Sequence, residues 1–214
     1  MRKVALAVSL AVVCAAGTAS AATAPRLEKI ILTPGQVGPG FLLLPRADGN
    51  GTTQRTLDLC GVKNYPSEKL RVDRVQVNYV KRSSVLGLSN EVVRYRVGGA
   101  AQAMREVIRH ALTCPHKPIS PGEAGLPPLT FRIMRIKAPH LLKGYLAVRV
   151  RTTGQLRGKR VDQVSYAVYQ RLGNVLSGVY SVGPAGSAQR DFCLHAAEQS
   201  AKNLRAAHLG GPPA

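Results

Sequence analysis

Val72-Asp73-Arg74-Val75-Gln76-Val77-Asn78-Tyr79-Val80 decides the fold, together with Val92-Val93-Arg94-Tyr95-Arg96-Val97 shortly after it. In the first stretch Val75, Val77 and Tyr79 alternate with Arg74, Gln76 and Asn78; in the second Val93, Tyr95 and Val97 alternate with Arg94 and Arg96. An apolar residue at every second position marks a half-buried antiparallel strand. Gly98-Gly99 ends the pair, and Ala100, Ala103, Met104, Val107, Ile108, Ala111 and Leu112 then recur at three and four residues. That spacing predicts an amphipathic helix ending near Cys114-Pro115. Its apolar face is expected to pack on the apolar face of the two strands.

The rest of the chain repeats the pattern beyond a Pro/Gly-rich linker at 115–128. Residues 131–137 and 145–151 read as one strand pair around Ala138-Pro139. Residues 161–170 and 175–182 read as another, with Leu172-Gly173-Asn174 as the tight turn. A helix from about 188 to 207 closes the chain. Val72-Asp73-Arg74-Val75 and Val161-Asp162-Gln163-Val164 each open a strand–strand–helix unit, which points to a duplication. The expected architecture is α+β: an antiparallel or mixed sheet of about five to six strands with two main helices on one face.

Upstream, residues 22–56 hold turn and breaker signals (Thr33-Pro34-Gly35, Pro39-Gly40, Asp48-Gly49-Asn50-Gly51) around one short apolar segment at 27–32, and read as irregular. Residues 1–21 have the three-part layout of a secretory signal peptide: Arg2 and Lys3, an apolar run over 4–16, and Ala19-Ser20-Ala21. The run is too short for a membrane-spanning helix, which needs about 20 apolar residues. Cys14 raises a lipid anchor, against which Val13 stands where a small residue would be expected. The organisation expected is a signal peptide (1–21), an irregular segment (22–56), one domain (57–208) and a tail (209–214). The mature chain is expected to be soluble and secreted or otherwise extracytoplasmic.

The formal charge is +19, and +17 once Arg2 and Lys3 are removed. In an exported protein such a field favours anionic envelope surfaces, polyanions or acidic ligands. Nucleic acid would suit the charge, but no nucleic-acid motif accompanies it and the compartment argues against it. Membrane-surface association is compatible with the charge, and no feature sets an oligomeric state.

Three cysteines follow the signal peptide, and export makes disulfides the default. Cys60 is paired here with Cys114, closing a loop worth about 4 kcal/mol in the chain-entropy picture. The odd count leaves one thiol free or paired between chains. Cys193 falls on a small and apolar helical stripe with Ala197, Ala201 and Leu204, which suits a buried, inert thiol better than a redox-active or dimer-forming one.

The quoted strands and helix, with Cys60, Tyr65-Pro66-Ser67-Glu68, Arg71, Glu91-Val92-Val93, Ala103-Met104 and Cys114-Pro115, resemble the PknH-like extracellular sensor domains of actinobacteria. The resemblance runs from about Leu32 to Leu204. It implies a mixed sheet with flanking helices, a cleft, and a ligand-binding or sensing role without established chemistry. Members of that family typically hold two disulfides. Cys60 and Cys114 match the first and Cys193 resembles half of the second, but no cysteine between Pro115 and Phe192 completes it. The chain carries no kinase, so signalling would pass through a partner.

Catalytic signals are weak. Ser67 lacks the Gly-x-Ser-x-Gly setting that exposes a hydrolase serine, and its neighbourhood reads as a turn or cap. Glu68 is expected to pair with Arg71. Asp73, Glu91, Glu106 and Asp162 each have arginines nearby in sequence, so ion pairing is the expectation for them. His110 and His116 bracket Cys114, and His140, His195 and His208 are scattered without metal-site spacing. No catalytic residue, metal or cofactor is assigned.

The sharper feature is basic. With the strand phases above, Arg74, Arg94 and Arg96 project opposite the apolar face, as do Arg149 and Arg151, with Gln76 and Asn78 beside them. Converging guanidinium groups suit bidentate capture of carboxylate or phosphate. The expected function is a non-enzymatic ligand-binding or sensor-like module holding an anionic small molecule or envelope polymer in a basic cleft. The alternative is a basic envelope-associated structural or interaction protein without a defined pocket.

Overall fold

The computed structural model describes residues 26–44, 51–62, 64–81, 86–115, 117–119, 127–156, 158–183 and 187–209. The signal peptide, Cys14, His116, most of the linker and all of the tail but Leu209 lie outside the described residues. In chain order the elements are α1 (Pro34–Val37), β1 (Leu42–Leu44), β2 (Arg71–Lys81), β3 (Leu86–Tyr95), α2 (Gly99–Leu112), β4 (Leu129–Arg135), β5 (Leu146–Leu156), β6 (Lys159–Leu172), β7 (Val175–Gly183) and α3 (Ser187–Leu209). Short 3-10 turns at Leu59–Gly61 and Pro66–Leu70 lead into β2.

The seven strands of the described residues form one antiparallel sheet in the order β1-β2-β3-β7-β6-β5-β4. The α+β class is as expected, with one strand more than the five to six anticipated. The extra strand is β1, inside the stretch read as irregular. Three consecutive leucines carry no period-two signal, yet Leu43 pairs with Tyr79 at the sheet edge. The segment before it is also ordered. Thr33 and Gln36 form a capping box on α1, and Leu27, Ile30 and Leu32 are fully buried against the sheet.

The two long helices lie on opposite faces of the sheet, which corrects the expectation that they share one. The β2–β3 register pairs Arg74 with Val93, Val75 with Val92 and Tyr79 with Leu88. Directly opposed residues share a face, so Val93 and Tyr95 project one way while Val75, Val77 and Tyr79 project the other. Val93 and Tyr95 join Leu146, Val148, Tyr169 and Leu176 beneath Ala100, Ala103, Met104 and Val107 of α2. Tyr79 joins Ala147, Val168 and Val179 beneath Cys193, Ala196 and Ala197 of α3, and Val75 packs with Ala201 and Leu204 further along it. A sheet covered on both sides has apolar residues in both alternating sets, so period two alone does not say which set meets which helix. The order strand–strand–helix does occur twice, as β2–β3–α2 and β6–β7–α3.

Gly98-Gly99 makes the tight entry to α2. Gly98 has φ +79°, and a Cβ on Gly99 would lie 2.8 Å from Tyr95 Cβ. The helix therefore starts against the end of β3, with Val107 fully buried and Met104 nearly so. Each such side chain contributes about 1.5–3 kcal/mol on burial.

Cys60 and Cys114 form a disulfide, Cα–Cα 5.8 Å, that ties the segment before β2 to the end of α2. Cys60 sits at φ 67°, a left-handed conformation uncommon outside glycine. Cys193 is a free thiol with no exposure, directed at the Tyr166 and Val179 carbonyls. Burial pushes its pKa up to about 12, so it is the inert thiol that the helical stripe suggested. No described helix is long and apolar enough to cross a membrane.

Candidate functional site

The seven polar residues singled out from the sequence separate into three places. Arg74, Gln76 and Asn78 lie on the α2 face of β2, two residues apart along one strand. Arg74 is only 2 % exposed there, because the 51–62 segment and its Leu57 and Leu59 fold over this face. Its Nε donates to Glu91 Oε1 and its Nη2 to Gln76 Oε1. Gln76 in turn donates to Ser89 Oγ at 2.8 Å. Burial raises Glu91 to about 7, and the Arg74 charge beside it offsets only part of that shift. Arg74 is thus an interior ion-pair partner and not a surface ligand-binding group.

Arg94 and Arg96 do not join it. Asp73 pairs with Arg94 in the ladder, so both point to the α3 face, where Arg94 Nη2 lies 2.6 Å from Asp73 Oδ2. Arg96 is exposed past the end of β3, in the turn before α2.

Arg149 and Arg151 form the third place. The α3 helix covers β6 and β7 and leaves the β4–β5 end of its face open. On this face Arg151 is directly opposite Arg132 of β4, and Arg149 is opposite Met134. Arg160 projects from the same face further along, opposite Gln155. Arg151 binds Asp162 through two bonds, Nε to Oδ1 at 2.8 Å and Nη2 to Oδ2 at 2.6 Å. Those hydrogen bonds, with the Arg151, Arg160 and Arg149 charges, hold the Asp162 carboxyl below the usual range. Arg132 and Arg149 make no hydrogen bond or ion pair with another described residue. Like charges directly opposed on a ladder destabilise it, and one carboxylate answers several guanidiniums here. The surface therefore carries a local excess of positive charge. Near the start of β5 an open trough of about 540 Å³ is lined by Arg135, Ile136, Lys137, Gly144, Tyr145 and the buried Ala147.

Sequence reasoning reached Arg149 and Arg151 but missed Arg132 and Arg160. The signal for Arg132 was its place in the alternating strand 131–137, facing β5 across the Ala138-Pro139 turn. That pairing could be read only once a register was fixed.

The carboxylates behave largely as ion-pair partners: Glu68 with Arg71 at 3.0 Å, Asp73 with Arg94, Glu91 with Arg74, Asp162 with Arg151. Glu106 differs, accepting from the Ser67 hydroxyl at 2.6 Å, from its backbone N–H at 3.2 Å and from Gln102 at 2.8 Å. Ser67 is fully buried in this cap. Burial lowers the His110 pKa, and its ring packs edge-on against Tyr65. No group of three or more His, Cys, Asp or Glu among the described residues could hold a metal ion.

A single antiparallel sheet between helices, stapled by one disulfide, with a basic uncovered end, defines an α+β domain. The crystal structure of the extracellular domain of PknH from Mycobacterium tuberculosis matches it with a TM-score of 0.54, covering 82% of this chain and 94% of that one at 10% identity. At that identity the likeness is one of fold. No protein-family model and no curated protein sequence matches the chain.

Proposed function

We propose that this protein is an extracytoplasmic, non-enzymatic binding or sensor-like module that captures anionic ligands on the open β4–β5 end of the sheet. The observation that carries it is the Arg132–Arg151 pair with Arg149 beside it, on a surface whose nearest carboxylate, Asp162, is already engaged by Arg151. The disulfide supports placement outside the cytosol, and the shared fold supports a sensor-like role. The family membership suggested by the sequence belongs to this proposal as well.

The test is retention on an immobilised polyanion. Neutralising Arg132, Arg149 and Arg151 together to Gln is expected to lower the salt needed for elution, with little change in Tm beyond the exposed Arg151–Asp162 pair. Elution at the same salt would overturn the site.

The openness of this surface also favours a second reading, a protein that coats an acidic envelope through diffuse charge. Under that reading the triple variant elutes only as far ahead as any three exposed cations would predict. Neutralising three arginines or lysines elsewhere on the surface supplies that comparison.

A further inference from the structure

Resting on that reading of the β4–β5 surface, we infer that its ligand is a linear polyanion lying along β5, a chain of repeating phosphate groups, and not a single enclosed anion. The basic groups are laid out in rows. Arg149 and Arg151 are two residues apart on one strand, about 6.7 Å. Arg132 is directly opposite Arg151 and diagonal to Arg149, about 7–8 Å. Arg160 continues the same face beyond the Thr153–Asp162 pair. From Gln155, opposite Arg160, to Arg149 is six residues of one strand, about 20 Å.

A site for one small anion encloses it between walls with donors aimed at a common point. Here the floor is a sheet face, Arg132 and Met134 are exposed, and the cations follow one another along a strand. Asp162 takes the Nε and Nη2 donors of Arg151, leaving Arg132 and Arg149 as separate contacts in adjacent rows. Successive charges of one polymer satisfy such a row, and each contact releases a counterion from the chain.

The experiment measures affinity as a function of salt for inorganic phosphate, tripolyphosphate, long-chain polyphosphate and phosphatidylglycerol vesicles. It uses the native protein and an Arg132→Gln/Arg149→Gln variant whose melting curve matches it. Affinity is expected to rise steeply with chain length. The slope of log affinity against log salt is expected to fall in the variant by roughly 0.7 for each lost cation, about 1.4 in all. Inorganic phosphate binding as tightly as long polyphosphate would overturn the polymer and leave the anion-binding surface standing. Vesicle binding without polyphosphate binding would assign the charges to a lipid surface and overturn it too. An unchanged salt slope in the variant would place polymer binding elsewhere on the molecule. No binding of any probe would sink the underlying reading with it.

Discussion

Arg74 and Glu91 are diagonal neighbours on the α2 face of the β2–β3 ladder and form an ion pair with side chains only 2% and 4% exposed. Removing one member of such a pair strands the other charge in the interior. Arg74→Met is expected to destabilise the fold by about 3–5 kcal/mol, read as a lower urea midpoint. Arg74→Met combined with Glu91→Leu is expected to recover much of that loss. A single variant as stable as the native protein would show that solvent reaches Glu91.

The same carboxyl gives a pH dependence. Its pKa rises from 4.5 to about 7 on folding, so the folded chain binds the proton more tightly than the unfolded chain. The linked stability is present in full below pH 4.5 and is lost as pH rises through 7. Burial also raises Glu68, which acts in the same direction. The stability of the native protein minus that of Glu91→Gln is expected to decline between pH 4.5 and 7 and then level off. A flat difference across that window would contradict the shift.

The thiols give a count. Native protein is expected to resist alkylation, because Cys193 is fully buried and Cys60 and Cys114 are joined. In protein made without residues 1–21, and so without Cys14, denaturation without reductant should expose Cys193 alone, and reduction should add Cys60 and Cys114. Losing the disulfide by a paired Cys60→Ala/Cys114→Ala change is expected to cost about 4 kcal/mol for a loop with separation 54. Fast labelling of Cys193 in the folded state would show that α3 opens locally.

Gly178 is required by its neighbour. It lies between Glu91 of β3 and Tyr169 of β6, and a Cβ there would meet the Tyr180 hydroxyl at 2.2 Å. Tyr180 is held over it by an edge contact with Tyr169, ring centroids 5.5 Å apart. Gly178→Ala is expected to cost about 1–3 kcal/mol, as overpacking does in a filled interior. A matching Tyr180→Phe change should relieve part of it, which thermal melts of the single and double variants would resolve.

How far the sequence reads is clearest along β2 and β3. Alternation located both strands, recurrence at three and four located α2 and α3, and the pairing of Cys60 with Cys114 stands. The face assignment went wrong because Arg74 opposes Val93 and not Arg94, a shift of one residue that moves a side chain to the other side of the sheet. Alternation does not encode that offset. It also hides burial: Arg74 looks like any outward arginine until the 51–62 segment, whose first half falls in the stretch read as irregular, is seen to lie across it. Leu42–Leu44 was invisible as a strand because its neighbour β2, and not its own pattern, recruits it.

Asp162 sets the sign of the last prediction. It is the carboxylate nearest the arginine row, and Arg151 and its neighbours hold it ionised well below neutrality. Polyanion binding should therefore vary little with pH between about 5 and 8, where the arginines also stay charged. Asp162→Asn is expected to tighten binding and to steepen the salt slope by roughly 0.7, because Arg151 is released to the ligand. If Asp162 instead orients Arg151 for capture, the same change weakens binding and leaves the slope shallower. Titrating the two proteins with long-chain polyphosphate at two salt concentrations separates the outcomes. Only the tightening agrees with a surface that acts through its excess of positive charge.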